Sequence, residues 1–359
     1  MSLAGWAIAY LFRWFPHASP TGLFPIGTPD ENAPVVVTAN FSLTVKRVRR
    51  ALRRRNVWLL VANSNGINVW CAATGGIFTE NRVIDAVKVS GLSEKVSHRE
   101  VVLPPLSAPG MDIKAIERET GFRAEFGPVY AKDIPAYLEA GMKKTEPMCR
   151  FRFDLEHRLD MFLSMNFVVY LAMAAVVAVF CRQYLAGATL LFWSVLAVLY
   201  LLIDIIPGKT GWGQAAFASA VFVLSWAGFD WVVLDDPLKH WGWFIAAFGI
   251  SFTAGFDLAG IASARKSDPE QLMLRLGFSK LGTLFSKKPL GDITLDRDRC
   301  NGCGACREIC PVGVYGELGG DGKTTFRDRN ACFACSACVK QCPQSALRLG
   351  GARDRPCRG

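Results

Sequence analysis

Val57-Trp58-Leu59-Leu60-Val61-Ala62-Asn63-Ser64-Asn65-Gly66-Ile67-Asn68-Val69-Trp70-Cys71-Ala72-Ala73 decides how the first part of this chain folds. Residues 57–62 form a short continuous apolar run, the pattern of a strand buried on both faces. Asn63-Ser64-Asn65-Gly66 then reads as a turn. Asn68 is a good helix N-cap, so Cys71 falls in the first turn of a short helix at the carboxyl end of a strand. Open α/β sheets place their ligands at that edge. A thiol near a helix N-terminus also has its thiolate form favoured. From position alone, Cys71 reads equally well as a buried cysteine packing like a small apolar side chain.

The same alternation extends to both sides. Val35–Thr38 reads as a strand and Leu43–Arg55 as a basic amphipathic helix. A helix follows the cap near 80–90, then a strand at Val101–Leu103, a helix over Asp112–Glu119 and a strand at Arg123–Phe126. A helix over Asp133–Ala140 and a last strand at Arg150–Phe153 complete the pattern. It predicts a Rossmann-like α/β domain with a parallel sheet over residues 34–160. Residues 1–33 start with a short apolar stretch, Leu3–Phe15, broken by Arg13 and followed by Pro/Gly-rich sequence. They lack the charged start and small-residue cleavage site of a secretory signal and are expected to be interfacial or poorly ordered.

Residues 161–262 differ in kind. Met161–Phe180, Tyr184–Ile206, Trp212–Leu234 and Trp241–Ala262 are four runs long enough to cross a bilayer as helices. Tryptophans 212, 231, 241 and 243 sit near their ends. Mean hydropathy of +0.23 agrees with an α-helical transmembrane bundle attached to soluble parts. An even number of spans with basic flanks (Arg150, Arg152 and Arg158 before, Arg265 and Lys266 after) predicts a multi-pass protein of the cytoplasmic (inner) membrane. Both soluble domains would then face the cytoplasm. Asp204, Asp230 and Asp257 lie within or near the spans and are expected to reach an interface or a neighbouring helix. The formal net charge of +10 is concentrated in 46–55 and beside the apolar block. Attraction to membrane lipid explains that placement more simply than nucleic acid, which is not expected as a partner. Residues 263–290 form a basic linker.

The chain closes with a domain over residues 291–350 and a cysteine-containing tail over 351–359. Cys300-x-x-Cys303-x-x-Cys306-x-x-x-Cys310-Pro311 recurs after 32 residues as Cys332-x-x-Cys335-x-x-Cys338-x-x-x-Cys342-Pro343. Eight of the twelve cysteines stand in these runs, which points to a reducing compartment rather than a disulfide scaffold. Zinc ribbons use paired cysteines with longer gaps. The runs resemble a bacterial two-cluster ferredoxin of α+β fold, with two [4Fe–4S] clusters. That resemblance implies ligand sets Cys300, Cys303, Cys306 with Cys342, and Cys332, Cys335, Cys338 with Cys310. His98, His157 and His240 have no second ligand at helical spacing and read as structural or surface residues. Cys149 and Cys181 read as packing residues.

Asn68-Val69-Trp70-Cys71-Ala72-Ala73 resembles the cap-helix signature of the mercury-methylation corrinoid protein HgcA, a relative of the corrinoid-binding subunits of CO dehydrogenase/acetyl-CoA synthase. The likeness continues through His98-Arg99, Leu103–Gly110, Gly121-Phe122 and Phe126–Ile134. It departs at Ala73-Thr74-Gly75-Gly76, where the family carries a lysine after its glycine. Residues 290–350 resemble HgcB, the ferredoxin that works with HgcA; Cys357 stands where that family has further cysteines and is a possible Hg(II)-binding thiol.

The resemblance implies an anaerobic methyltransferase binding a cobalamin-type corrinoid at residues 68–73, with Cys71 as axial cobalt ligand and catalytic residue. The methyl group would come from a methyl-folate or methyl-pterin donor system, electrons from a low-potential donor, and Hg(II) would be the acceptor. A thiolate below cobalt would favour release of a methyl carbanion, which electrophilic Hg(II) needs. Two competing expectations stand beside it: a corrinoid methyltransferase of one-carbon metabolism with another acceptor, and a membrane-bound [4Fe–4S] electron-transfer protein without corrinoid activity.

Overall fold

The computed structural model describes residues 3–152, 154–202, parts of 217–228, Phe248, 292–332 and 335–350. The chain divides into two compact units. One joins Met1–Arg152 to Pro289–Gly359, and the other is Phe153–Lys288.

In the first unit a five-stranded sheet has the order β1-β3-β2-β4-β5, with β1 Gly22–Ile26, β2 Val35–Ala39, β3 Val57–Ala62, β4 Glu100–Leu103 and β5 Arg123–Phe126. Strands β2 to β5 are parallel, as the alternation predicts, and β1 runs antiparallel to β3. That edge strand lies within 1–33, which the sequence leaves outside the α/β domain. Pro25 hides it from a reading by pattern. At a sheet edge the missing N–H costs nothing, and here Pro25 is exposed opposite Trp58. The preceding helix α1, Leu3–Leu11, places Ala9 against Phe41 and Leu43. Residues 3–33 are therefore part of the folded domain.

Side chains of the central strands point alternately to two apolar layers. Val35, Val37, Leu60, Val101 and Leu103 pack under helices α3 (Val69–Thr74), α4 (Glu80–Val89) and α6 (Ile113–Thr120), with the short α5 (Leu92–Lys95) between the last two. Val36, Leu59, Val61 and Val102 pack under α2 (Ser42–Leu52) and α7 (Ile134–Glu139). Val45, Val48 and Leu52 of α2 turn inward, leaving Lys46, Arg47, Arg49 and Arg50 in solvent. The stripe explains how so basic a segment remains a helix.

Arg150–Arg152 forms no strand, and Phe153 lies outside the described residues. Glu146–Cys149 makes one 3-10 turn, and Phe151 N–H then donates to Pro311 O at 2.8 Å. The Arg150 guanidinium donates to Arg307 O and Cys310 O, both at 2.9 Å. These partners lie in the cysteine-rich module, so tertiary contacts claim the backbone that a sixth strand would have used.

The cysteine-rich module has a two-stranded antiparallel sheet joining its ends (Asp292–Leu295 with Leu347–Gly350) and a hairpin (Tyr315–Leu318 with Thr324–Phe326). Two short helices, Ala305–Ile309 and Ala337–Lys340, complete it. Ile309, Val314, Tyr315, Ala337 and Leu347 share one continuous apolar core with Met111, Ile116 and Val83 of the α/β domain.

The second unit contains α8, Leu155–Phe180, N-capped by Asp154 through His157 N–H at 3.0 Å, and α9, Leu185–Leu202. Both are long and apolar enough to cross a membrane, a property shared by core helices of soluble proteins. Of the expected spans, 212–234 is described only at 217, 219–225, 227 and 228, and 241–262 only at Phe248. Asp204, Asp230, Asp257, the 263–290 linker and Cys357 lie wholly outside the described residues.

The buried Asn40 side chain binds the turn that feeds the cap. Its Oδ1 accepts from Ser64 N–H at 2.8 Å and Gly66 N–H at 3.0 Å, and lies 3.0 Å from the Ser64 hydroxyl oxygen. Asn40→Ala leaves the Ser64 and Gly66 N–H groups without this acceptor and should destabilise this edge by about 2 kcal/mol. Amide exchange at Ser64 and Gly66 should quicken while β5 keeps its protection; unchanged exchange there would mean that Asn40 does not hold the turn.

Candidate functional site

The carboxyl edge of the parallel strands carries the cap. Asn68 Oδ1 accepts the Cys71 N–H at 2.9 Å, satisfying one of the donors that a helix start leaves over. Asn68 Nδ2 donates to Cys71 Sγ at 3.3 Å, so one amide both starts the helix and holds the thiol. Cys71 is exposed, which excludes the packing alternative. Val69, Ala72 and Ala73 are buried beneath it, and Trp70 is half-buried. The helix ends after Thr74 because Gly75 and Gly76 follow: Gly75 N–H donates to Cys71 O at 2.9 Å, and Gly76 has φ +72°. The six cap residues therefore form a small platform that presents one sulfur to solvent.

Behind the platform lies a 3-10 turn, Pro105–Gly110. A Cβ on Gly110 would meet Phe78 O at 2.5 Å and Ala73 O at 3.0 Å. Both obstacles are backbone, so only glycine lets the turn approach α3 this closely. His98 receives the Glu100 N–H on Nδ1 and places Nε2 3.0 Å from Ala33 O, a structural role.

In the cysteine-rich module Cys300, Cys306, Cys310, Cys332 and Cys338 are buried, Cys335 and Cys342 are half-buried, and Cys303 is exposed. Burial pushes the Cys335 and Cys338 thiols up to about 12, and the nearby sulfurs of Cys310 and Cys332 push the same way. Burial likewise raises Cys306 and Cys310. Cys310 of the first run thus lies among sulfurs of the second. Thiolates gathered in such a place repel one another, and a cationic iron core removes that penalty. Backbone N–H groups turn toward sulfur as well, Val314 N–H to Cys310 Sγ at 3.5 Å and Ala346 N–H to Cys342 Sγ at 3.3 Å. The donor set fits iron–sulfur clusters.

The two modules meet through specific polar contacts. Gln341 Nε2 donates to Ala108 O at 3.1 Å and Met111 O at 2.8 Å, and Lys144 pairs with Glu308 at 3.1 Å. Arg150 braces the far end, as described above. Asn40, Gly110, Arg150 and Gln341 escape a reading by sequence. Asn40 carries only the generic signal of an Asn at a strand end, and the other three carry no local signal for their distant partners.

Residues 11–138 match the CO dehydrogenase/acetyl-CoA synthase delta subunit family, and residues 299–347 match the 4Fe-4S dicluster domain. Curated relatives include acetyl-CoA decarbonylase/synthase complex subunit gamma from Methanocaldococcus jannaschii, 36% identical over 131 residues (36% of this chain, 26% of the relative). The corresponding subunit from Archaeoglobus fulgidus is 38% identical over 120 residues (33% and 25%). That from Methanothermobacter thermautotrophicus is 36% identical over 126 residues (34% and 27%). The chain thus spans about a quarter of the length of these relatives.

These matches correct the likeness to the HgcA and HgcB pair. The relatives are subunits of an acetyl-CoA decarbonylase/synthase complex, so mercury methylation, and Hg(II) as acceptor or partner, are set aside; Cys357 loses the role proposed with them. Membrane lipid as a partner gains no support from the matches either. The physical reason lies in the motif. The cap specifies a helix start and a thiol, and neither it nor the short segments at 98–134 encodes an acceptor.

Asn68→Ala removes the cap and should cost about 1 kcal/mol. Gly110→Ala overpacks the turn and should cost about 1–3 kcal/mol. Both should raise amide exchange over residues 69–75, and native protection in either variant would contradict this account of how the platform is held.

Proposed function

We propose that this chain is a corrinoid-dependent methyltransferase component of one-carbon metabolism that carries its own two-cluster electron donor. The observation that carries the reading is the exposed Cys71 sulfur, presented by a capped helix at the carboxyl edge of the sheet. The cysteine-rich module packed on the same domain supports it, as do the matches to the CO dehydrogenase/acetyl-CoA synthase delta subunit and the dicluster domain.

Residues 68–73 would hold the corrinoid, and Cys71 Sγ would be the protein's ligand to its cobalt. A corrinoid bound there supplies a centre that accepts and releases a methyl group, and two clusters supply one electron each for its reductive reactivation. The chain's own residues do the rest. The Asn68 amide aims the sulfur and fixes the helix register. Ala72 and Ala73 let the platform lie close to the sheet, and half-buried Trp70 offers a flat apolar wall beside the ligand. Cys300, Cys303, Cys306 and Cys342 would hold one cluster, and Cys332, Cys335, Cys338 and Cys310 the other. A methyl-folate or methyl-pterin donor system and a low-potential electron donor are the partners this chemistry needs.

The decisive experiment is anaerobic reconstitution with a cobalamin-type corrinoid, followed by methyl transfer from methyl-tetrahydrofolate. Cys71→Ala should alter the visible spectrum of bound cobalt and slow methyl uptake by at least about tenfold. A native spectrum and rate in that variant would remove Cys71 as the ligand, and a chain that takes up no cobalt would remove the corrinoid reading altogether. Cys310→Ser should perturb the cluster of the second run, and Cys342→Ser that of the first. Electron paramagnetic resonance of the reduced variants checks the pairing, which fails if each serine disturbs the cluster of its own run.

A further inference from the structure

Gln341 stands between Cys338 and Cys342 of the second cysteine run, directly after the helix Ala337–Lys340. Its side chain leaves its own module and donates to Ala108 O and Met111 O. Both partners are carbonyl oxygens, so only the amide nitrogen fits, and its two hydrogens are both engaged. The two carbonyls bracket the end of the 105–110 turn. Gly110 of that turn lies against Ala73, two residues from Cys71. A short path of packed backbone thus runs from the cluster-ligand helix to the platform that carries the thiol.

The surrounding contact is apolar, formed by Ala108, Met111, Ala337, Cys338 and Val339. Apolar contact holds surfaces together without fixing their register, whereas hydrogen bonds are directional. Gln341 is the group in this patch able to fix that register.

We propose that Gln341 is a positioning residue for electron delivery: it docks the cluster-bearing helix on the turn behind the cap and so sets the distance from the clusters to the cobalt site. This rests on the corrinoid reading above. In that delivery each reduced cluster gives up one electron, cobalt gains it, and an external low-potential one-electron donor re-reduces the cluster.

The test uses the full chain with its clusters as Gln341→Ala, Gln341→Glu and Gln341→Lys. Alanine removes the donors, glutamate sets a carboxylate against two carbonyl oxygens, and lysine restores donors. Two neutral hydrogen bonds weight a docked state by about tenfold. Amide exchange over residues 105–112 should therefore quicken about tenfold in the alanine variant. It should quicken further in the glutamate variant and return toward native in the lysine variant, with iron content unchanged throughout and cluster potentials unchanged in the neutral alanine variant. This arm needs no corrinoid.

With corrinoid loaded, stopped-flow reduction of cobalt by pre-reduced clusters should slow in the same order, while reduction by titanium(III) citrate keeps its native rate. Native exchange and native transfer in the alanine and glutamate variants would overturn the proposal. Loss of the clusters would overturn it too, by making Gln341 a support of its own module. A native chain that binds no corrinoid fails the functional reading and with it electron delivery, while the exchange arm still decides whether Gln341 docks the helix.

Discussion

One buried amide oxygen, Oδ1 of Asn40, gathers two N–H hydrogen bonds from the turn between β3 and the cap helix and lies beside the Ser64 hydroxyl. The turn has its own internal bond from the Ser64 hydroxyl to Ile67 O at 2.7 Å. It also has a left-handed glycine, Gly66 at φ +69°, where a Cβ would strike Ala18 N at 2.6 Å. Together these contacts leave the chain one way to leave β3, and Asn68 then starts the helix where Cys71 must stand. Nothing downstream is well placed if this turn is loose. The polar groups concerned are buried, and leaving them unpaired costs more than the bonds themselves contribute.

The second organising constraint is the joining of two modules far apart in sequence. The α/β domain and the cysteine-rich module share one apolar core, and polar struts at both ends of their contact set its register. Arg150 is engaged with two carbonyls of the module, one of them that of the cysteine Cys310. A ferredoxin-like module that diffused on a linker would meet the platform only intermittently. Here the chain carries the module as a fixed neighbour, which suits a reaction needing repeated reduction of the same centre.

The places where sequence reading and structure part company have physical causes. Strand β1 carries Pro25, which argues against a central strand and is harmless at an edge. Arg150–Phe153 has the look of a strand, yet its backbone and guanidinium bond to residues more than 150 positions later. The likeness to the mercury-methylation pair rested on the cap, on short segments between residues 98 and 134 and on the cysteine runs, and none of these encodes an acceptor. The dicluster runs carry more information because eight sulfurs at fixed spacing satisfy few other centres.

What the sequence by itself determined is therefore local. The strand, turn and cap over residues 57–74 follow from an apolar run, turn residues and an N-cap three positions before a cysteine, and each contact spans only a few residues. The cysteine runs belong to the same class, since their chemistry lies in spacing. Only the tertiary structure decided that Cys71 is exposed, that Asn40 clamps the turn from 24 residues away and that Gln341 reaches Met111 from 230 residues away. It also decided that Gly110 is the one residue type the platform can rest on. Contacts of that range arise when separate elements are packed together, and they leave no periodicity in the chain from which they could be read.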